Sequence, residues 1–204
     1  MTRVPALLVL ACGVVGCSSS TEDVPVGHVF HVDFAATTPH TIDGWVVLSP
    51  SETSRAGLVD FATREVTDVS IAAENWSGTH ESPTNWSADV DWLPVVAAQG
   101  AWTQGLGETT PATVTFRGLA GDYRVEVVAA EGIQAFTQRT TVNGATTTVT
   151  RQGAIADSAA WDPQADGTVR SDWLVWPSVT AAGGQITIEQ LTGWINAVRL
   201  SPAG

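Results

Sequence analysis

The triplet Asn-Trp-Ser occurs twice in one polar stretch, NWSGTHESPTNWSADVDW, at 75–77 and again at 85–87, with Trp92 closing the run. Indole rings set beside amides and carboxylates are suited to recognition rather than bond-breaking. A pyranose ring has an apolar C–H face and a rim of hydroxyls. An indole plane matches the face, and neighbouring Asn, Asp, Gln or Arg match the rim. Trp102 extends the series, and WDPQ at 161–164 repeats the pairing around Trp161. The candidate ligand contacts are therefore Trp76, Trp86, Trp92, Asn75, Asn85, Trp102 and Trp161. The same rings have a second reading. Residues from about 75 to 111 read as one long connection, and a long loop in a compact domain is either functional or held down by its own side chains. Exposure separates the two: a binding platform requires at least two coplanar, exposed rings at one end of the domain, whereas anchors are buried.

Other chemistries find less support. The four histidines are His28, His31, His40 and His80, and no Gly-x-Ser-x-Gly elbow or Ser-x-x-Lys accompanies them. His28 and His31 fall on opposite faces of an extended segment and cannot share a metal. Carboxylates such as Asp89 and Asp91 share a face if extended, but with 21 acidic residues such pairs arise by chance. The sequence therefore points away from an enzyme. Asp162, Gln164 and Asp166, followed by Gly167, match the start of a Ca²⁺ loop. Arg170 and Trp173 then occupy positions that should carry oxygen ligands, so a plain Pro/Asp/Gly turn is the better reading.

Charge and termini narrow the class further. Nine basic residues, all Arg, stand against 21 acidic ones, for a net charge of −12. A surface of that sign is a poor partner for nucleic acid, which needs basic contacts, and has no electrostatic attraction to anionic lipid. The chain opens with a positive Met-Thr-Arg and an apolar run from Val4 to Gly16, the pattern of an export signal and too short for a permanent span. VVGC at 14–17 resembles the bacterial lipobox. The resemblance implies cleavage before Cys17, palmitate-type acylation of that cysteine and anchoring in a membrane. Ser18 favours the outer membrane or cell surface. Cys12 would leave with the signal, so no disulfide is expected in the exported chain. The expected organisation is a signal peptide at 1–16, a tether at 17–26 and one domain at 27–204.

The elements that must position these residues read as strands. HVFHVDF (28–34), ATVTFRG (112–118), DYRVEVVAA (122–130) and GQITIEQL (184–191) alternate with period two, which argues half-buried strands. Asn143-Gly144 within TTVNGATTTV supplies the two positive-φ residues of a type I′ hairpin. Further strands are expected at 44–48, 57–62, 66–73, 171–176 and 194–200. Trp45, Trp173, Trp176 and Trp194 fall on these strands and are assigned to the core, with Trp173 and Trp176 facing opposite ways. No helix shows convincing periodicity. The reading is an all-β chain folded as a single antiparallel sandwich of the jelly-roll kind.

The order of signals adds a resemblance. An opening Val-Asp-Phe strand and Gly-Trp are followed by LVDFATREVTDVSI (58–71) and the aromatic stretch. TVTFRGLAGDYRVEVVAA (113–130), the Val-Asn-Gly hairpin, GGQITI and WINAVRL then close the chain. Over about 27–202 this resembles the galactose-binding-like β-sandwich of carbohydrate-binding modules. The resemblance implies glycan binding by end loops or a sheet face, and a structural Ca²⁺ in many members, for which Asp33 joins Asp162 and Asp166 as a candidate. No other cofactor is implied. The expected function is a lipid-anchored envelope protein that binds polysaccharide or a surface glycan without catalysis. The alternative is a structural or protein-binding envelope lipoprotein, and a hydrolase is the least favoured reading.

Overall fold

The structure is a computed structural model that describes residues 27–36, 40–81, 92–94, 96–97, 100–104, 109–129, 136–151 and 173–204. The expected signal peptide and tether, with Cys17, Trp86, Asn85, Trp161, Asp162 and Asp166, lie outside these residues.

Among the described residues thirteen strands follow one another: β1 (Phe30–Phe34), β2 (Val46–Leu48), β3 (Ser54–Ala56), β4 (Ser70–Glu74), β5 (Gly78–Glu81), β6 (Gly100–Gln104), β7 (Ala112–Arg117), β8 (Asp122–Val128), β9 (Phe136–Val142), β10 (Ala145–Arg151), β11 (Trp173–Thr180), β12 (Gln185–Ile195) and β13 (Ala197–Pro202). They form two sheets. One runs β11-β8-β13-β1-β2; the other runs β10-β9-β12-β7-β4-β3, with β6 pairing to the far end of β12 and β5 to β6. The molecule is an all-β sandwich, as the alternation predicts. Phe30, Val32 and Phe34 from one sheet meet Ile71, Val114, Phe116, Ile186 and Ile188 from the other in the principal core.

The Asn-Gly hairpin forms where the sequence places it. Asn143 (φ 43°) and Gly144 (φ 88°) both occupy the left-handed region, and β9 and β10 pair outward from Val142 and Ala145. Asn143 also ties the turn to the sandwich, donating to the Thr180 carbonyl at 3.0 Å and accepting from the Thr187 N–H at 2.8 Å.

Three expectations change. The segment 57–62 is not a strand; it enters a tight excursion in which Val59 bridges Val66, and the strand lies earlier, at β3. The connection from 75 to 111 is not one loop, because it contains β5 and β6. Glycine and buried aromatics, rather than alternation, put β6 there: a Cβ on Gly100 would stand 2.8 Å from the Ala36 amide nitrogen, so only glycine allows β6 to approach the end of β1. Finally, the sandwich is not wholly antiparallel. β1 and β2 pair in parallel, so the chain between them must return from the end of one strand to the start of the other. That return brings His40, Ile42 and Trp45 onto the outer side of β1, with the result that β1 is buried on both faces. His31 and Asp33, which alternation assigns to a solvent face, are 3% and 0% exposed.

Candidate functional site

Of the tryptophans that the sequence places in one group, the described ones, Trp76, Trp92 and Trp102, divide between two places. The first is a pocket of about 460 Å³ at the end of β4, between the β2–β3 turn and β5. Glu74 closes β4, and Asn75 then adopts φ 61°. Asparagine is among the few side chains that tolerate this conformation. The turn stops the strand and folds Trp76 back toward the core, where its ring lies 5.9 Å from Trp102 at 71° and 6.3 Å from Phe34. The Trp76 N–H donates to the Thr113 carbonyl at 3.3 Å. Ser77 then locks the chain to β6, its N–H 3.1 Å and its hydroxyl 2.9 Å from the Thr103 carbonyl. Pro50, Thr53, Glu74, Asn75, Ser77 and Thr79 line the pocket together with Trp76 and Trp102.

Asn75, Trp76 and Trp102 therefore come together, in different roles. Trp76 is half-buried and Asn75 is exposed at the rim. Trp102 sits in β6 at 1% exposure and donates to the Ala35 carbonyl at 3.0 Å, so it is a floor and not an open platform. A steep angle between the two indoles leaves one plane, that of Trp76, for stacking. No coplanar exposed pair of indoles occurs among the described residues.

The second place is the outer face of the β11-β8-β13-β1-β2 sheet. Trp92 stacks on Trp45 (5.6 Å, 30°) and meets Trp173 edge-on (5.2 Å, 82°). His31 packs on Phe61 at 3.9 Å and lies 5.2 Å from Trp92. The Arg199 guanidinium sits 5.1 Å above the Trp92 ring and pairs with Glu126, which is 1% exposed. Glu126 also accepts from the Trp173 indole at 3.3 Å and from Arg124 at 3.4 Å. Leu93, Ala97, Val128, Trp173 and Ala197 form a second small core beneath these groups. Trp173 and Trp176 do face opposite ways: Trp173 belongs to this second core and Trp176 to the first, its N–H donating to Ala145 at 3.1 Å. Trp45 and Trp194 are half-buried rather than fully enclosed.

This outer face holds the most perturbed acid–base groups. Burial, with the Arg199 and Arg64 charges adding to it, pushes His31 down to about 3. Burial drives Asp33 up to about 6, against the contrary pull of His40, whose Nε2 is 2.9 Å from Asp33 Oδ2. The two groups do not form a catalytic pair, since no contact joins them and His31 instead rests on carbon. Asp33, the one Ca²⁺ candidate among the described residues, is fully buried. It faces an imidazole nitrogen, and no group of three His, Cys, Asp or Glu gathers among the described residues. His28 and Asp60 make a separate structural pair at 2.8 Å, and Asp60 also caps the Ala62 and Thr63 amides.

Comparisons with known proteins return fold-level likeness only. No protein-family model and no curated protein matches the chain. Similar solved structures include a Bacillus subtilis protein (10% identity, TM-score 0.48, covering 85% of this chain and 40% of that one). Bacteroides uniformis β-glucuronidase 2 is also similar (12% identity, TM-score 0.47, 85% of this chain and 18% of that one). A third is the Podospora anserina GH26-CBM35 β-(1,4)-mannanase (17% identity, TM-score 0.34, 66% of this chain and 28% of that one). The chain thus spans less than half the length of each.

Proposed function

We propose that this protein is a non-catalytic carbohydrate-binding β-sandwich, held at the cell envelope by acylation of Cys17, and that it binds glycan in the Trp76 pocket. The pocket geometry carries the reading. Small-molecule sites typically enclose about 300–1,000 Å³ with apolar walls and a few placed polar groups, and this pocket pairs one half-buried indole with an amide, a carboxylate and three hydroxyls. That is the combination a sugar ring requires. The expectation of a resemblance to carbohydrate-binding modules agrees with it, while Trp92 is assigned to anchoring rather than to contact with ligand.

The test uses full-length protein in mild detergent, run by affinity electrophoresis through a panel of polysaccharides and followed by intrinsic fluorescence. Trp76→Ala should weaken binding by about five- to thirtyfold, since stacking on an aromatic ring contributes on the order of 1–2 kcal/mol. Binding by Trp76→Ala equal to wild type would remove this site from the reading. Separately, Cys17→Ser should abolish incorporation of labelled palmitate and move the protein out of the membrane fraction; unchanged labelling would refute the lipid anchor.

A further inference from the structure

Charge around the pocket narrows the ligand. We infer, resting on the glycan-binding reading above, that the Trp76 pocket takes a neutral sugar residue and discriminates against uronates and sulfated sugars. Recognition of a carboxylate or sulfate within a pocket needs an opposing cation, most effectively the planar fork of arginine. None is present among the described lining residues, and the one ionisable side chain there is the carboxylate of Glu74. The chain has no lysine at all. Arg55, two residues past Thr53, is turned away: its guanidinium is held 2.8 Å from Glu52 and 3.1 Å from the Val47 carbonyl. An anionic sugar would therefore meet Glu74 without a counter-charge and would enter against the field of a −12 chain.

The available groups suit hydroxyls instead. Asn75 offers a donor and an acceptor, Glu74 accepts two hydroxyl donors, and Thr53 and Thr79 can do either. The Ser77 hydroxyl is already committed to Thr103 as donor, so toward a ligand it acts as an acceptor. The balance favours a ring that donates several hydroxyls. One accessible indole plane, with Trp102 closed off below it, limits stacking to a single sugar ring at a time. The charge rule and the single-ring limit follow from the same few side chains, so both can be tested at Glu74 and Trp76.

The experiment compares neutral polysaccharides (β-glucan, mannan, xylan, galactan) with polygalacturonate, alginate and a sulfated galactan, using full-length protein in mild detergent. At least one neutral glycan should bind at least about tenfold more tightly than every acidic one, and its affinity should change less than about twofold between low and high salt, because no ion pair is screened. Glu74→Gln should lower the affinity for the neutral glycan, because one carboxylate acceptor becomes an amide donor, and should narrow the margin of the neutral over the acidic glycans. Glu74→Arg should raise the affinity for the acidic glycans. Acidic glycans bound as tightly as neutral ones, or binding that collapses with salt, would overturn the inference while leaving glycan binding intact. Preferred binding of cationic chitosan would also overturn it, in favour of an ammonium held by Glu74. If no polysaccharide binds, the proposed function fails and this inference with it.

Discussion

Trp76 and Trp92 occur in the same eighteen-residue stretch of sequence, yet Trp76 packs against the core between the two sheets and Trp92 against the small core on the outer face of one of them, with opposite assignments. Trp76 has one edge pinned, by its N–H on Thr113 and by Trp102 below, while the rest of the ring borders an open pocket beside Asn75 and Glu74. Trp92 is half-buried as well, but it is packed among Trp45, Trp173, His31 and Arg199, and its indole nitrogen is buried without a hydrogen-bond partner among the described residues. The difference teaches that local composition does not decide whether an aromatic is a binding surface. What decides it is whether another segment arrives to cover the ring. β1 and β2 are parallel, so the chain between them returns across the outer face and supplies that cover at Trp92. At Trp76 the neighbouring chain turns away at Asn75 and leaves one flank open.

The contrast can be broken most forcefully at Glu126. Glu126→Ala leaves Arg199 and the Trp173 indole without their common partner, and removing one member of a buried ion pair costs about 3–5 kcal/mol. The expected outcome is a fall in Tm of roughly 10 °C for a domain of this size, read by calorimetry, with glycan affinity unchanged in the protein that remains folded. A loss of affinity at constant Tm would mean that the two regions are functionally joined.

Trp92→Ala should come next. It deletes a half-buried ring from the second core, at a cost of about 2–3 kcal/mol, below the range for fully buried aromatics. Trp76→Ala should destabilise less, by about 1–2 kcal/mol, while of the two it alone weakens binding. If thermal melts reversed this order, Trp76 would be the anchor and Trp92 the better candidate for contact.

Titration sharpens the comparison from the other side, because among the described residues the strongly shifted groups lie on the Trp92 face. His31 titrates near 3 when folded, against 6.5 for its ordinary value. The unfolded chain therefore gains a proton first, and stability falls as the pH drops below about 6.5. Asp33 titrates near 6 against 3.8. The folded chain gains that proton first, and stability rises as the pH drops from 6 toward 4. Between pH 6 and 4 the two slopes oppose each other, each about 1.4 kcal/mol per pH unit when fully developed. Wild type should therefore show a nearly flat Tm in that window. Asp33→Asn should lose stability on acidification and His31→Phe should gain it, measured by melts at pH 6 and pH 4. Parallel profiles for the two variants would show that neither group is perturbed as described. Glycan affinity should not follow either profile.

The smallest effect is expected at Asn75. Asn75→Ala places an ordinary side chain at φ 61°, which costs about 1 kcal/mol, and removes an amide from the pocket rim. Asn75→Gly should recover the stability without recovering the full affinity. Full recovery of both would show that the amide serves the turn and not the ligand.

Much of this architecture was legible from the chain. Period-two alternation located β1, β7, β8 and β12, the Asn-Gly pair located the β9–β10 turn, and parity put Trp173 and Trp176 on opposite faces. Those signals are local: they depend on strand pleat and on φ/ψ limits that act within a few residues. β5 and β6 escaped because their pairing is with each other and with β12 across the domain, in sequence too polar or too glycine-bearing to alternate. Of the site, the pairing of Asn75 with Trp76 was visible, and so was the likeness of an indole beside amides and hydroxyls to a sugar-binding surface. The floor role of Trp102 and the participation of Pro50 and Thr53 were not, because they come from the approach of β6 and of the β2–β3 turn.

By itself, then, the sequence determined that this is a negatively charged all-β chain with no cysteine framework to rely on and an unusual supply of tryptophan. Tertiary structure alone decided which tryptophans are covered. Burial of His31 and Asp33 and the packing of Trp45 on Trp92 follow from a parallel β1–β2 pair and its return connection, and the open flank at Trp76 follows from a left-handed turn at Asn75. Covering a side chain requires a second segment to cross it, and that crossing is set by long-range strand order, which no local pattern of residue types encodes.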